Sequence, residues 1–155
     1  MTTLPDPERT PAASYEPAEV VVRFLRSLAA SDVDTALELV ADDLVYANVS
    51  LPTIYGRARL ERVARPWLRP GRVGFNVHLN HVATEGDVVL TDRVDELNWG
   101  RFASRFWVYG RFVVGDDGRI TVWRDSFDWL DVTIGNLRGL AGLVSPGLNR
   151  RMPAH

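Results

Sequence analysis

Three short breaks, each carrying glycine, cut residues 72–130 into four long strand-like runs. The runs are about 72–84, 87–98, 101–114 and 119–130, and the breaks are Glu85-Gly86, Trp99-Gly100 and Gly115-Asp116-Asp117-Gly118. Connections this short join antiparallel neighbours, because a parallel return needs a crossover of a dozen residues or more. The second half of the chain is therefore expected to be an antiparallel meander of four strands.

The first half reads differently. Pro17 suits the first turn of a helix, and Val21, Phe24, Leu25 and Leu28 follow with i, i+3, i+4, i+7 spacing. Asp32 is placed to cap a second, short helix with Val33, Leu37 and Val40 on one face. Leu44–Val49 reads as a strand. Leu60, Val63, Ala64 and Trp67 return to helical spacing, and Pro70-Gly71 closes that element. A last amphipathic helix is expected over 132–144, stopped by Pro146-Gly147. Helices beside an antiparallel sheet make an α+β fold. Such a sheet must curl around its helices to bury them, and a curled sheet leaves a pocket.

A length of 155 residues suits one domain and is too short for two. Residues 1–16, with Pro5, Pro7 and Pro11 among small and polar residues, are expected to be a disordered leader. The domain is expected over 17–148, and 149–155 as a flexible tail. A net charge of −2 gives no electrostatic case for nucleic acid. There is no lysine and no cysteine, so Schiff-base chemistry, a thiol nucleophile and a zinc–thiolate site are excluded. With no signal-peptide pattern and no apolar run long enough for a bilayer, a cytoplasmic protein without stable membrane insertion is expected.

Candidate chemistry emerges where polar residues interrupt the strand pattern. Side chains alternate across a strand, so parity assigns faces. In the last run Trp123, Asp125, Phe127 and Trp129 share one face, which places a single carboxylate in a stripe of large aromatics. A buried carboxylate needs a partner or a raised pKa. In the second run Val89, Thr91, Arg93, Asp95 and Leu97 share a face. Arg93 and Asp95 project side by side, roughly 6–7 Å apart along the strand. A guanidinium fork can bridge two carboxylates, so Arg93 between Asp95 and Asp125 would satisfy all three. Tyr46 and Asn48 share a face of the first strand and offer a hydroxyl and an amide able to hold a water molecule. The same spacings also suit a structural ion pair and a solvated polar pair. His78 and His81, three apart on one strand, are expected on opposite faces and therefore not as joint metal ligands. No glycine-rich phosphate loop and no nucleophile-elbow serine is present.

Three strings, taken together and in this order, resemble the signature segments of the limonene epoxide hydrolase family: Asp43-Leu44-Val45-Tyr46-Ala47-Asn48, Thr91-Asp92-Arg93-Val94-Asp95, and Trp123-Arg124-Asp125-Ser126-Phe127-Asp128. The resemblance runs from about Pro17 to Asp131. Asn136-Leu137-Arg138-Gly139-Leu140 is similar to the actinobacterial branch that accepts bulky lipophilic epoxides. Ser126 departs from the pattern, standing where an aromatic is common. The resemblance implies a cone-shaped fold like nuclear transport factor 2, with a strongly curved mixed sheet packed on N-terminal helices, and a homodimer. It also implies roles. Asp125, with Tyr46 and Asn48, would hold and deprotonate the attacking water. Asp95 would protonate the epoxide oxygen, and Arg93 would bridge the carboxylates, with no metal and no cofactor. Expected pocket-lining residues are Leu25, Leu28, Val77, Leu97, Phe106, Val108 and Phe127. An isomerase or cyclase on the same fold, and a lipophilic-ligand binder with a structural Arg–Asp pair, stand as alternatives. The arginine-bridged pair favours the hydrolase, since an isomerase needs a lone base and an oxyanion hole.

Overall fold

Among the described residues six strands form one sheet, in which the first long strand lies beside the last. The computed structural model describes residues 16–69 and 71–153. All of the expected leader except Glu16 lies outside the described residues, as do Pro70, Ala154 and His155. Helix α1 (Pro17–Ala29) and the short α2 (Val33–Glu38) come first. They are followed by β1 (Val40–Asn48), the two-residue β2 (Ile54–Tyr55) and α3 (Arg57–Trp67). The meander is β3 (Gly74–Glu85), β4 (Val88–Trp99), β5 (Phe102–Val114) and β6 (Ile120–Ser126), followed by α4 (Trp129–Val144) and a 3-10 turn at Pro146–Leu148. β3 to β6 pair antiparallel in succession, while β1 pairs parallel with β6. The sheet is thus mixed and the fold α+β.

Register breaks in β1, β3 and at the β5–β6 ladder bend this sheet. Its concave face receives α1. Val21, Phe24, Leu25 and Leu28 are buried there, as their spacing requires. Phe24 meets Trp123 edge-on at 5.0 Å between ring centroids and lies near Phe112. Asp32 caps α2 through the Thr35 amide.

Three local readings change. Val40 is not on α2 but opens β1, because it pairs with Ile120 and the carbonyl of Leu39 accepts from the Ile120 amide. β6 stops at Ser126 rather than near residue 130. Asp128 accepts a hydrogen bond from the Leu130 amide and starts α4 three residues earlier than expected, so Trp129 leaves the strand stripe. His78 and His81 do not point to opposite faces. A bulge between Leu79 and His81 sets them opposite Val94 and Asp92, which share a face of β4. Among the described residues no group of three or more His, Asp or Glu is arranged to hold a metal.

β6 pairs with β5 only from Tyr109 onward, so residues 102–108 of β5 present an open edge. Helix α4 covers it. Asp131 accepts from the Trp107 amide, and Asn149 donates to the carbonyl of Ala103. Arg150 donates to Asp131 and to the carbonyl of Arg105. Asn149 and Arg150, in the segment expected as a flexible tail, are thus held against β5. Gly135 and Gly139 are buried on the near side of α4. A Cβ on either would stand 2.6 Å from a β5 carbonyl oxygen, that of Arg105 or Ala103. The two glycines let the helix lie directly on the strand backbone. Intrinsic propensity alone would make Gly139→Ala stabilising by about 1 kcal/mol. We expect the opposite sign, a loss of about 1–3 kcal/mol from overpacking against a backbone that cannot retreat. Thermal unfolding of Gly139→Ala should show a lower Tm than the natural chain; an unchanged or raised Tm overturns this account of the helix seat.

Candidate active site

The inward face of β4 carries Val89, Thr91, Arg93, Asp95 and Leu97 by parity. The β4–β5 register sets Arg93 opposite Val108 and Asp95 opposite Phe106. Two strands away, β6 presents Trp123 and Asp125 to the same interior. The parallel pairing of β1 then sets Tyr46 beside Trp123 and Asn48 beside Asp125. All five residues expected at the site, Tyr46, Asn48, Arg93, Asp95 and Asp125, meet at the concave face.

Arg93 is fully buried, at 0% exposure. Its Nε donates to Asp95 Oδ1 at 2.8 Å and its Nη2 to Asp95 Oδ2 at 3.2 Å. Nη2 also donates to Asp125 Oδ2 at 2.6 Å. Nη1 donates to the Thr91 hydroxyl at 3.1 Å. One guanidinium therefore bridges both carboxylates, the arrangement that the strand parity suggested. Sequence reasoning placed Thr91 on the right face without assigning it a part. It missed Gly110 altogether. Gly110 faces both Thr91 and Asp125 in register, and a Cβ there would lie 2.3 Å from Arg93 Nη1. That cradle depends on cross-strand register, which no single-strand pattern reveals.

The charges are unequal in their surroundings. Burial works against the Arg93 charge, but Asp125 and Asp95 outweigh it and hold the guanidinium firmly protonated. Burial lifts Asp95 to a pKa of about 6, against the opposing pull of Arg93 and with help from the negative charge of Asp125. For Asp95, burial thus outweighs two hydrogen bonds from arginine. Tyr46 is pushed well above the ordinary phenol value by burial and by Asp125, so its hydroxyl stays protonated. The amide of Asn48 donates to the Tyr46 hydroxyl at 2.5 Å, and the Tyr46 ring stacks on Trp123 at 3.9 Å. Asp125 Oδ1 is buried with no hydrogen-bond partner among the described residues. It is an unengaged acceptor oxygen, while Oδ2 is engaged by Arg93.

These groups lie at a cavity of about 570 Å³ whose walls are almost entirely apolar. Tyr46, Asn48, Asp95 and Asp125 line it, with Leu28, Leu97, Phe106, Val108 and Phe127 as expected. Leu25 and Val77 do not. α1 seats on that side of the sheet, burying Leu25 completely and packing Val77 of β3 against the core. Trp123, Phe24, Trp67, Trp99 and Trp129 complete much of the wall. The arrangement offers a carboxyl group that holds its proton to a higher pH than a solvated one, a second carboxylate with one oxygen not engaged by Arg93, and an apolar space for a hydrocarbon skeleton.

Comparison with known proteins gives the chain its family. Residues 15–138 match the family model of the limonene-1,2-epoxide hydrolase catalytic domain. The chain is 46% identical over 128 residues to epoxide hydrolase EphG of Mycobacterium tuberculosis, spanning 83% of this chain and 84% of that protein. It superposes on the solved structure of an LEH-like epoxide hydrolase from M. tuberculosis with a TM-score of 0.82 at 43% identity, covering 88% of this chain and 95% of that one. An NTF2-like protein of unknown function from Cytophaga hutchinsonii shares the fold alone, at 16% identity and a TM-score of 0.60 over 75% of this chain and 93% of its own. On the match over residues 15–138 and the identity shared with its relative, the chain belongs to the limonene-1,2-epoxide hydrolase family.

Proposed function

We propose that this epoxide hydrolase converts a bulky lipophilic epoxide to a vicinal diol by one-step attack of water, without metal or cofactor. The observation that carries the reading is the buried arginine shared by two unlike carboxylates at the base of an apolar cavity. Water held by Tyr46, Asn48 and Asp125 gives its proton to Asp125 Oδ1 as its oxygen attacks a ring carbon. The ring C–O bond breaks, and the released electron pair takes a proton from Asp95. One carboxylate becomes neutral as the other becomes charged. Arg93 touches both, so the negative charge moves from one side of the guanidinium to the other without solvent rearranging. Ring strain supplies the driving force, and each proton transfer contributes about 10²–10⁴ in rate. The longer 3.2 Å contact from Arg93 to Asp95 Oδ2 is the one a protonated oxygen would give up as it turns to the epoxide.

The direct test is diol formation from a panel of terpene, sterol and fatty-acid epoxides by the purified chain with a chelator present. An isomerase or cyclase would return other products, and a binder none. Asp125→Asn and Asp95→Asn should each nearly abolish turnover with the fold intact. Arg93→Lys should do so too, because an ammonium lacks the planar fork. Tyr46→Phe should lose less, roughly the 1–3 kcal/mol of one buried hydrogen bond. An Asp125→Asn enzyme that keeps more than about a tenth of the activity, about 1.4 kcal/mol of barrier, overturns the base assignment. A single turnover in heavy-oxygen water, with enzyme in excess, should label the diol and no protein carboxylate. Label in a peptide bearing Asp95 or Asp125 would mean covalent catalysis instead.

The raised pKa of Asp95 fixes a sign. Its acid form is the active one, so kcat/KM should fall as pH rises through about 6. The folded state also binds that proton more tightly than the unfolded chain, whose Asp titrates near 3.9. The group's stabilising contribution is therefore full below about pH 4 and lost as pH rises through about 6. Relative to Asp95→Asn, which has no such titration, the natural chain should lose Tm across that window. A constant difference in Tm from pH 4 to 7 contradicts the assignment.

A homodimer, a cytoplasmic location and a place in lipid or terpenoid metabolism belong to the same reading. Dimerisation is supported by the outer face of the sheet. There Leu90, Trp107 and Tyr109 are 51%, 41% and 59% exposed in a single chain. Among the described residues no helix is long and apolar enough to cross a membrane. Light scattering should return the mass of two chains, and Trp107→Glu should shift it to one.

A further inference from the structure

The mouth of the cavity is built from side chains that a water-facing opening would not choose. Leu51, Val63, Trp67, Leu97, Trp99 and Trp129 all line the cavity. Each is also 40–69% exposed. Three tryptophans and three aliphatic residues thus ring the entrance, on the concave side of the sheet, away from Leu90, Trp107 and Tyr109. Exposed aromatic bodies with a polar N–H tip are the side chains that settle at the boundary between water and lipid.

The charge along the α3 side of this ring is one-sided, while Asp128 precedes Trp129 on the other side. The whole chain carries −2, yet residues 57–73, which supply α3 and one wall of the mouth, hold six arginines and a single acidic residue, Glu61. Arg57 pairs with Asp42, and Arg65 pairs with Asp34 and Glu61. Arg62, Arg69 and Arg72 are exposed and have no ion pair among the described residues. They flank the ring in the chain: Arg62 precedes Val63, Arg69 follows Trp67 by two, and Arg72 precedes Val73, another lining residue. Arg101, also exposed, follows Trp99 by two. An apolar ring bordered by unpaired arginines is complementary to an anionic lipid surface, where headgroups meet the guanidinium groups and acyl chains meet the ring. A second copy of the chain would bring the same positive charge against itself.

We propose that the cavity mouth is a docking surface for anionic membranes, seating the enzyme so that its cavity opens into the lipid. The proposal deepens the proposed function, since a lipophilic epoxide dissolved in a bilayer would then enter the cavity without crossing water. The surface itself does not depend on that reading, and its test does not use turnover for its main result.

Full-length protein is mixed with vesicles of phosphatidylcholine alone and of phosphatidylcholine with phosphatidylglycerol, then sedimented. We expect binding to the anionic vesicles, weakening as salt is raised, and little to the neutral ones. The triple variant Arg62→Glu, Arg69→Glu, Arg72→Glu should bind anionic vesicles about tenfold or more weakly. It should still hydrolyse a short water-miscible epoxide at the natural rate, which shows an intact fold and site. Brominated lipids should quench tryptophan fluorescence in the natural chain, and Trp67→Ser with Trp99→Ser should remove most of that quenching. The proposal is overturned by equal binding to neutral and anionic vesicles, by no binding, or by a triple variant that binds as well as the natural chain. It is also overturned if the tryptophans are shielded without lipid in a manner that grows with protein concentration, which would mean a second copy covers the mouth. Vesicle binding with no diol formation would sink the hydrolase reading and leave the surface standing.

Discussion

A guanidinium with no exposure to water is the constraint on which this molecule turns. Removing the charge of Arg93 from water costs several kcal/mol unless the surroundings replace the lost hydration. Asp95 from its own strand, Asp125 from β6 and the Thr91 hydroxyl do so. If both carboxylates were ionised the buried cluster would carry a net negative charge. Raising Asp95 to a pKa of about 6 eases that excess, because below that pH the cluster is one cation facing one anion and one neutral acid. The asymmetry that general acid–base chemistry needs is therefore a consequence of burying three charged groups with only one positive among them. Gly110 belongs to the same constraint, because any side chain there would occupy the place of Arg93 Nη1.

The cluster also explains why the chain is threaded as it is. Asp125 and Arg93 lie 32 residues apart, and Asn48 is farther still, yet all sit on neighbouring or near-neighbouring strands. The return of β6 to the side of β1 accomplishes this. It pairs in parallel with the first strand and antiparallel with β5, so its inward face reaches both halves of the site. Because β6 is short, β5 is left with an open edge, and that edge is where α4 and the residues after it are fastened. The helix then contributes Trp129, Val132 and Asn136 to the cavity wall. Sheet edge, closing helix and cavity are one solution to one geometric problem.

Much of this was legible in the sequence because strand parity is a strict period of two. The inward set on β4 and the placement of Asp125 among aromatics on β6 follow from counting alone, and they converge on Arg93. Family resemblance, not spacing, assigned acid to Asp95 and base to Asp125. What could not be read depends on relations between strands. The bulge at Leu79/His81 shifts parity by one and brings His78 and His81 to one face. Val40 became a strand residue through its partner Ile120, not through any local preference. The end of β6 was hidden because Asp128 reads equally as a strand residue and as a helix cap until its bond to Leu130 is seen. Val77 has the right strand parity for the cavity, but α1 packs over that part of the concave face and turns its own Leu25 into the core there. Gly110 has no signal in a single chain, since a glycine in a long strand is as easily a bulge as a cradle.

The distribution of polarity along the cavity bears on turnover as well as on chemistry. The lining is mostly hydrocarbon, with Tyr46, Asn48, Asp95 and Asp125 clustered together and Asn98, Ser104 and Asn136 as the other polar residues. An epoxide has one weak acceptor, which Asp95 can satisfy, and the rest of a lipophilic substrate is served by the walls. The diol carries two hydroxyls. In the proposed reaction one stands where the water was held, beside Asp125 and Tyr46, and the other faces Asp95, newly charged. Hydroxyls that leave hydrogen-bonding capacity unmet in an apolar cavity cost about 1–3 kcal/mol. The proton now on Asp125 must also return to Asp95 before another cycle, and water entering as the diol departs is its natural carrier. In the proposed cycle release and reset are then coupled, since the water that replaces the diol also carries the proton that readies Asp95 for another turnover.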